Sequence, residues 1–474
     1  MRFADLFFFP SSRLLCGLIA LMGLLVASPA RAQSPVDLAG AEQYTASLDH
    51  NFWEQAWVRH LNANTGSDGR IDWTYGDRQA LGTLTDDYQR AIEAADGFWT
   101  PLQVQDYLQR RLLTVQPNPM MAGRPGAFRL RLLRTTTPNA LALNDGTILI
   151  TTGLLTTLKT EAQLHAVLAH EVAHIVLDHA LDGYRSNKKR SKARKVLGTI
   201  VGGVTSVVTP GFGGRGSLES TAYGLSSDLA TQYLDREFIA SAGLEYSRSQ
   251  EEEAIRLAQQ WLMAHDAPPA ALYTALQALQ RDSRGRSASH GAAFMDSHPG
   301  TSDRRATLAS IIEAEDGDPS ALDDATVPVD ASYDTAIAAV LEHEAEMDLA
   351  ARRFYAAHEA LDRALRTDWT TPRTFLFKAI AVRNTTTTSS GRREALDLLD
   401  AAERAAETPE PRIEAERALW RVRQGRPDAA RHHLTRCRRQ IDDLRSTTAP
   451  EDAPSTMHDS LYAWASTLEA RLRE

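Results

Sequence analysis

Cysteine is scarce in this chain: two residues in 474, Cys16 and Cys437. A disulfide framework is thereby excluded, and stability has to come from packing. Aromatic residues make up only 7%, and an excess of basic charge is missing, with 52 Lys and Arg against 61 Asp and Glu and a net charge of −9. That balance removes the broad positive footprint of a nucleic-acid-binding protein, so no nucleic-acid partner is expected. No uninterrupted apolar run reaches the ~20 residues that a membrane-spanning helix requires. What is left is ordinary globular composition, 43% hydrophobic and 24% charged. Its length allows about two to four domains.

The first 32 residues read as a targeting segment. Residues 14–27 are almost continuously apolar, follow Arg2 and Arg13, and lead to Ala30-Arg31-Ala32. This is the pattern of a secretory signal peptide cleaved after Ala32, and it places the remainder in the periplasm. An uncleaved anchor is the other reading, but the run is short for a span. Leu15 precedes Cys16 where a lipoprotein signal carries a small residue, which argues against lipidation.

The remainder divides by composition. Residues 33–100 are polar with helical patches at 42–61 and 84–95, expected to pack on the following domain. Residues 101–312 carry the chemical motifs. Residues 313–331 are acidic and contain Pro319 and Pro328, the composition of a linker. Residues 332–474 are rich in Ala, Leu, Arg and Glu, which favours helices. In that last region Ala360-Leu361, Ala395-Leu396 and Ala429-Ala430 recur at a period of about 35, near the ~34 of tetratricopeptide (TPR) helix pairs. An irregular helical bundle is the alternative. The Thr/Ser/Gly run at 385–391 is expected to be a loop.

The sharpest signal lies at His170-Glu171-Val172-Ala173-His174. Thr160-Glu161-Ala162-Gln163 has the form of a capping box, and no Gly or Pro follows until Gly183, so a helix is expected over 161–182. Residues four apart lie one turn up the same face, and two imidazoles so placed reach one metal ion. Glu171 stands beside that face, where it can take a proton from an activated water. Zinc suits this set because it accepts mixed nitrogen and oxygen ligands and keeps one position open. Leu177 and Ala180 exclude the metzincin pattern. A third ligand is sought in Glu251-Glu252-Glu253, on a second helix over about 249–264, although a charged cluster on a helix is as often a solvated face.

Further segments fall in an order that resembles a known family. These are Pro138-Asn139-Ala140-Leu141-Ala142 through Ile148 with Gly153-Leu154-Leu155, the His170–His174 motif, Tyr246-Ser247-Arg248-Ser249-Gln250-Glu251-Glu252-Glu253-Ala254, and Ser297-His298-Pro299 with Arg304. Over about residues 100–312 the chain resembles the HtpX/BepA/OMA-type gluzincin zinc metalloendopeptidases. The resemblance implies one Zn2+ per chain held by His170, His174 and Glu251, with Glu171 as general base. It implies that His298 acts at the site, either donating to the developing oxyanion or blocking the open position. It also implies an orienting or ion-pairing role for Arg304. The β-rich segment Leu141 to Thr151 is read as a strand edge beside the metal helix that binds substrate by β-addition, with Asn139, Ala140, Leu141 and Ala142 as the substrate-binding residues; an ordinary buried strand is the other reading. The family carries aspartate four residues after the ligand glutamate, where it orients a ligating histidine; here that residue is Ile255.

The expected fold class is therefore mainly α: an α+β metallopeptidase domain with a small sheet beside the HExxH helix, followed by an α-helical, TPR-like repeat domain. The basic-then-apolar insert at 185–216 reads as a lid, a peripheral membrane contact or a flexible loop. By resemblance to BepA-like proteins, the partners are protein substrates and, through the repeats, outer-membrane assembly machinery. The expected function is periplasmic quality control. The competing expectation, motivated by Ile255, is an inactive protease-fold adaptor.

Overall fold

The structure is a computed structural model. It describes residues 52–63, 75–115, 128–188, 238–239, 246–285, 298, 304–322, 327–447 and 456–473. The segment read as a signal peptide, residues 33–51 and most of the 185–216 insert lie outside the described residues. Helix α1 (Phe52–Ala63) is shared between two units: residues 55–63 group with the segments before 74, and residues 52–54 with everything after. The rest of this section concerns the second, larger unit.

Two helices, α2 (Tyr75–Ala94) and α3 (Leu102–Val115), precede a three-stranded sheet of β1 (Arg129–Leu133), β2 (Ala140–Ala142) and β3 (Thr147–Thr151). The strand order is β1-β3-β2, with β1 parallel and β2 antiparallel to β3. The stretch 141–151, β-rich in sequence, is thus a hairpin of two strands. Asp145 and Gly146 make its turn: Gly146 has φ +88°, and the Asp145 carboxylate accepts from the Thr147 amide at 2.9 Å. All five residues of β3 are buried, as expected of a central strand.

Thr151 ends β3 and caps α4 (Thr152–Thr157), its hydroxyl accepting from the Leu154 amide at 3.0 Å. Gly153 is required at this corner, because a Cβ there would sit 2.2 Å from the Thr136 carbonyl oxygen. The metal-motif helix follows as α5 (Glu161–Val176). Thr160 caps it as the sequence indicates, accepting from the Gln163 amide at 3.2 Å. The Gln163 side chain reaches back one residue further than a standard box, taking the Lys159 amide at 2.7 Å. Residues 166–176 are buried without exception, so this is a core helix, packed on β2, α3 and two later helices.

The helix stops earlier than the sequence suggests. Leu177 and Asp178 form a turn, Asp178 takes φ +54°, and a new helix α6 (His179–Lys188) carries Gly183 in its interior. The left-handed conformation is one that Asp tolerates. It is pinned by Arg78 of α2, which donates to both Asp178 oxygens at 3.2 Å. The expected stop at Gly183 fails because this ion pair, made 100 residues away, outweighs local propensity.

Helices α7 (Arg248–Ala264), α8 (Ala271–Gly285) and α9 (Arg304–Ala314) complete this part. The segment read as a linker is partly structured. It contains a 3-10 turn at Pro319–Leu322 and ends at Asp330, which caps α10 (Ala331–Ala336) through the Tyr333 amide at 3.0 Å. The same carboxylate accepts from the Glu161 amide, at the start of α5, at 3.0 Å.

Three antiparallel hairpins follow: α11 (Ala338–Ala350) with α12 (Phe354–Leu365), α13 (Pro372–Thr385) with α14 (Ser389–Ala405), and α15 (Pro411–Arg423) with α16 (Pro427–Thr447). Helix α17 (Thr456–Arg471) packs on the last. The residues that recur at about 35 occupy equivalent places: Ala360, Ala395 and Ala430 each lie on the second helix of a hairpin and are buried. Small residues there let the helices approach closely. The 385–391 run is less of a loop than expected, since only residues 386–388 connect α13 to α14. Thr388 caps α14 through the Gly391 amide at 3.1 Å. Among the described residues no helix is long and apolar enough to cross a membrane.

The first hairpin is fixed to the α4–α5 connection. Tyr333 donates to the Leu155 carbonyl at 2.8 Å. Arg363, on α12, donates to the Leu158 carbonyl at 3.0 Å, to the Thr156 carbonyl and to Asp334 at 2.9 Å. Lys159 pairs with Glu359 at 2.7 Å.

Candidate metal centre

Helix α5 places His170 and His174 one turn apart on one face, with ring centroids 4.7 Å apart and planes at 81°. Their Nε2 atoms approach to 3.1 Å. Helix α7 brings Glu251 opposite. Ser247 caps α7 with a full capping box, Ser247 Oγ accepting from the Gln250 amide and Gln250 Oε1 from the Ser247 amide. Glu251 therefore sits in the first turn, where the helix dipole favours a carboxylate. Its Oε1 lies 3.3 Å from His174 Nε2 and its Oε2 lies 3.6 Å from His170 Nε2. His298 closes the set, its Nδ1 at 2.8 Å from Glu251 Oε1 and 3.3 Å from His170 Nε2. The four ligating atoms lie within 4.8 Å of one another, and all four residues are buried.

The chemistry of this donor set fits a divalent cation. Burial pushes the His174 imidazole well below its usual value despite the pull of Glu251, so it is neutral, as a ligand must be. Burial alone would raise Glu251, but His298, His170 and His174 together hold its carboxyl far below the usual range. His298 is fully buried, which lowers an imidazole pKa, yet the Glu251 and Glu171 carboxylates raise it overall. The site therefore favours positive charge at that point, which a proton or a divalent cation can supply. Three nitrogens and a carboxylate oxygen are the ligand types zinc accepts.

Glu171 points beside this group. It is completely buried, and among the described residues neither carboxylate oxygen has a hydrogen-bond partner of normal geometry. Its Oε1 lies 3.6 Å from His298 Nε2. Burial raises its pKa, with His298 and His170 opposing. A carboxyl held this way is a stronger base than an exposed one, which suits proton transfer near neutral pH.

Of the substrate residues expected from sequence, Ala140, Leu141 and Ala142 form β2, an edge of the sheet that packs on α5. Asn139 joins β2 to Thr151, its amide donating to the Thr151 hydroxyl at 2.9 Å, while its own Oδ1 is buried without a partner among the described residues. The Ala140 backbone contributes to the environment of His298 and the Ala142 backbone to that of Glu171. Arg304 opens α9, and its side chain lies outside the described residues.

Three residues around His174 carried no role in the sequence reading. Tyr246 stacks on the His174 ring with centroids 3.8 Å apart and planes at 20°. His179 Nδ1 lies 2.9 Å from His174 Nδ1, and His179 Nε2 lies 3.2 Å from Glu253 Oε2. Ile255, where the family has its aspartate, is 1% exposed among apolar residues of α7. A third histidine five residues beyond His174 was the available signal, but its direction depends on the turn at Asp178.

A buried glutamate beside two helical imidazoles and a carboxylate from a second helix defines the metallopeptidase class of site. Residues 102–312 match the model of Peptidase family M48, which supports a metallopeptidase of that zinc-dependent family. The matched span runs from α3 to α9 and includes every residue of the cluster. Comparison with curated proteins gave no match. Among solved structures, the crystal structure of yeast Tom70 aligns over 98% of this chain and 88% of its own, at 11% identity and a TM-score of 0.22. A likeness that low carries no argument about fold or function.

Proposed function

We propose that this protein is a zinc-dependent endopeptidase of the periplasm that hydrolyses misfolded or misassembled cell-envelope proteins. The observation that carries the hydrolytic reading is the convergence of His170, His174 and Glu251 beside a buried Glu171. Those three residues would hold the ion, with His298 beside them. A zinc ion held by these residues would supply the Lewis acidity that a peptide carbonyl and an attacking water need. Glu171 takes the proton released as water attacks and passes it to the departing amine. His298, 3.6 Å from Glu171, is placed to donate to the oxygen that becomes negative. The β2 edge aligns an extended chain through its backbone, which gives low sequence selectivity and suits unfolded clients. The helical hairpins offer a surface for client or partner binding. The export pattern of residues 1–32 supports the compartment.

Ile255 favours a second reading, a protease-fold adaptor that acts through its hairpins. One experiment separates the two: metal analysis of the purified chain with casein cleavage by wild type and Glu171→Gln. The peptidase reading expects about one zinc per chain in both proteins, and a loss of cleavage of at least ~10²-fold in the variant. Equal cleavage by both would overturn the assignment of Glu171. Absence of zinc and of cleavage would favour the adaptor.

A further inference from the structure

The geometry points to His179, backed by Glu253, as the positioning residue for the ligand His174. This inference rests on the metal reading of the site and adds a residue to it.

The argument begins with the tautomer of His174. Its Nε2 faces the cluster, so as a metal ligand through that atom it carries its proton on Nδ1. That Nδ1 lies 2.9 Å from Nδ1 of His179, which must then accept. A neutral imidazole that accepts at Nδ1 carries its proton on Nε2. The His179 Nε2 lies 3.2 Å from the Glu253 carboxylate, the acceptor that this tautomer needs. Each link thus fixes the next: Glu253 sets the proton on His179, His179 takes the proton of His174, and His174 turns its free lone pair to the metal site. An outer partner of this kind orients a ligating imidazole and raises its basicity.

The arrangement is built rather than incidental. His179 is 2% exposed and is the first residue of α6. It faces α5 across the turn at Leu177 and Asp178, where Asp178 takes a positive φ and pairs with Arg78. Gln250 of α7 donates to the His179 carbonyl at 3.4 Å, tying α6 to the helix that carries Glu251. Tyr246 covers the other face of the His174 ring. His170 has no comparable support, since its buried Nδ1 lacks a partner among the described residues.

The test compares wild type with His179→Ala, His179→Asn and Glu253→Gln in the full chain. Zinc affinity is measured by chelator competition, the visible absorption of the cobalt-substituted protein reports ligand geometry, and the melting of the metal-free protein reports packing. Asn is the informative replacement, because its Oδ1 falls where the imidazole Nδ1 was and still accepts. His179→Ala is expected to lose about 10–100-fold in zinc affinity and to shift the cobalt spectrum. His179→Asn is expected to restore most of both. Glu253→Gln, altering an exposed outer link, is expected to lose only a few-fold. Wild-type affinity and spectrum in His179→Ala would overturn the proposal. So would equal losses in the Ala and Asn variants that track a lower metal-free melting temperature. Failure of the wild type itself to bind zinc would overturn the metal reading and this proposal together.

Discussion

Arg363 offers a direct test of how the hairpin array is joined to the peptidase part. The residue is 4% exposed, and its guanidinium donates to Asp334 and to the carbonyls of Thr156 and Leu158. Asp334 is itself 3% exposed, with Arg366 at 3.7 Å as its other cationic neighbour. Truncation in Arg363→Ala leaves a buried carboxylate and two carbonyls without their donor. Removing one partner of a buried ion pair costs about 3–5 kcal/mol, and water entering the space repays part of the carbonyl loss. A net loss of about 4 kcal/mol is expected. At a urea dependence of about 3 kcal/mol per M, the midpoint falls by more than ~1 M. Arg363→Lys keeps the charge but not the planar fork, and should lose about half as much. The assay is urea unfolding followed by far-ultraviolet circular dichroism and tryptophan fluorescence. Because the residue bridges two parts, the two signals should also separate in Arg363→Ala. A midpoint within ~0.3 M of wild type, with coincident signals, would refute the reasoning.

Gly153→Ala should destabilise by about 3 kcal/mol or more, because the new methyl meets a backbone oxygen at 2.2 Å and strand β3 and helix α4 cannot both keep their places. Thermal melting checks this, and an unchanged melting temperature would contradict the close packing at that corner. His343, tilted against Trp99 with centroids 4.6 Å apart, is held down at about 4 by burial, with Arg134 and Arg373 adding to it. The unfolded chain therefore takes up the proton first, so this contribution to stability is intact above pH ~6.5 and is lost as pH falls toward ~4, by about 3 kcal/mol in all. Urea midpoints measured from pH 7 to pH 4 should show this loss in wild type and a flatter profile in His343→Gln. Parallel profiles would remove His343 as its source.

Much of the metal cluster was legible because its chemistry is written in local geometry. His170 and His174 need only a helix to meet, and the capping-box form at Thr160 marks where that helix starts. Glu251 and His298 required the family's order of motifs, since nothing in their own neighbourhoods says that they approach α5. His179 was invisible for a physical reason. Its orientation follows from Asp178 in a left-handed conformation, and that conformation follows from Arg78, 100 residues earlier. The hairpins showed through Ala360, Ala395 and Ala430, because close helix crossings select small side chains at a fixed period. The acidic stretch before residue 331 misled in the opposite direction. Composition suggests a solvated spacer, yet Asp330 is committed both to the start of its own helix and to that of a helix 169 residues earlier.

That shared carboxylate has a mechanical consequence. One side chain caps the start of α10, just before the hairpins, and accepts from the first amide of the helix that bears the two imidazoles, so the two helix starts are pinned at a common point. A displacement of α10 would therefore be felt at the base of α5, the helix that carries His170 and His174.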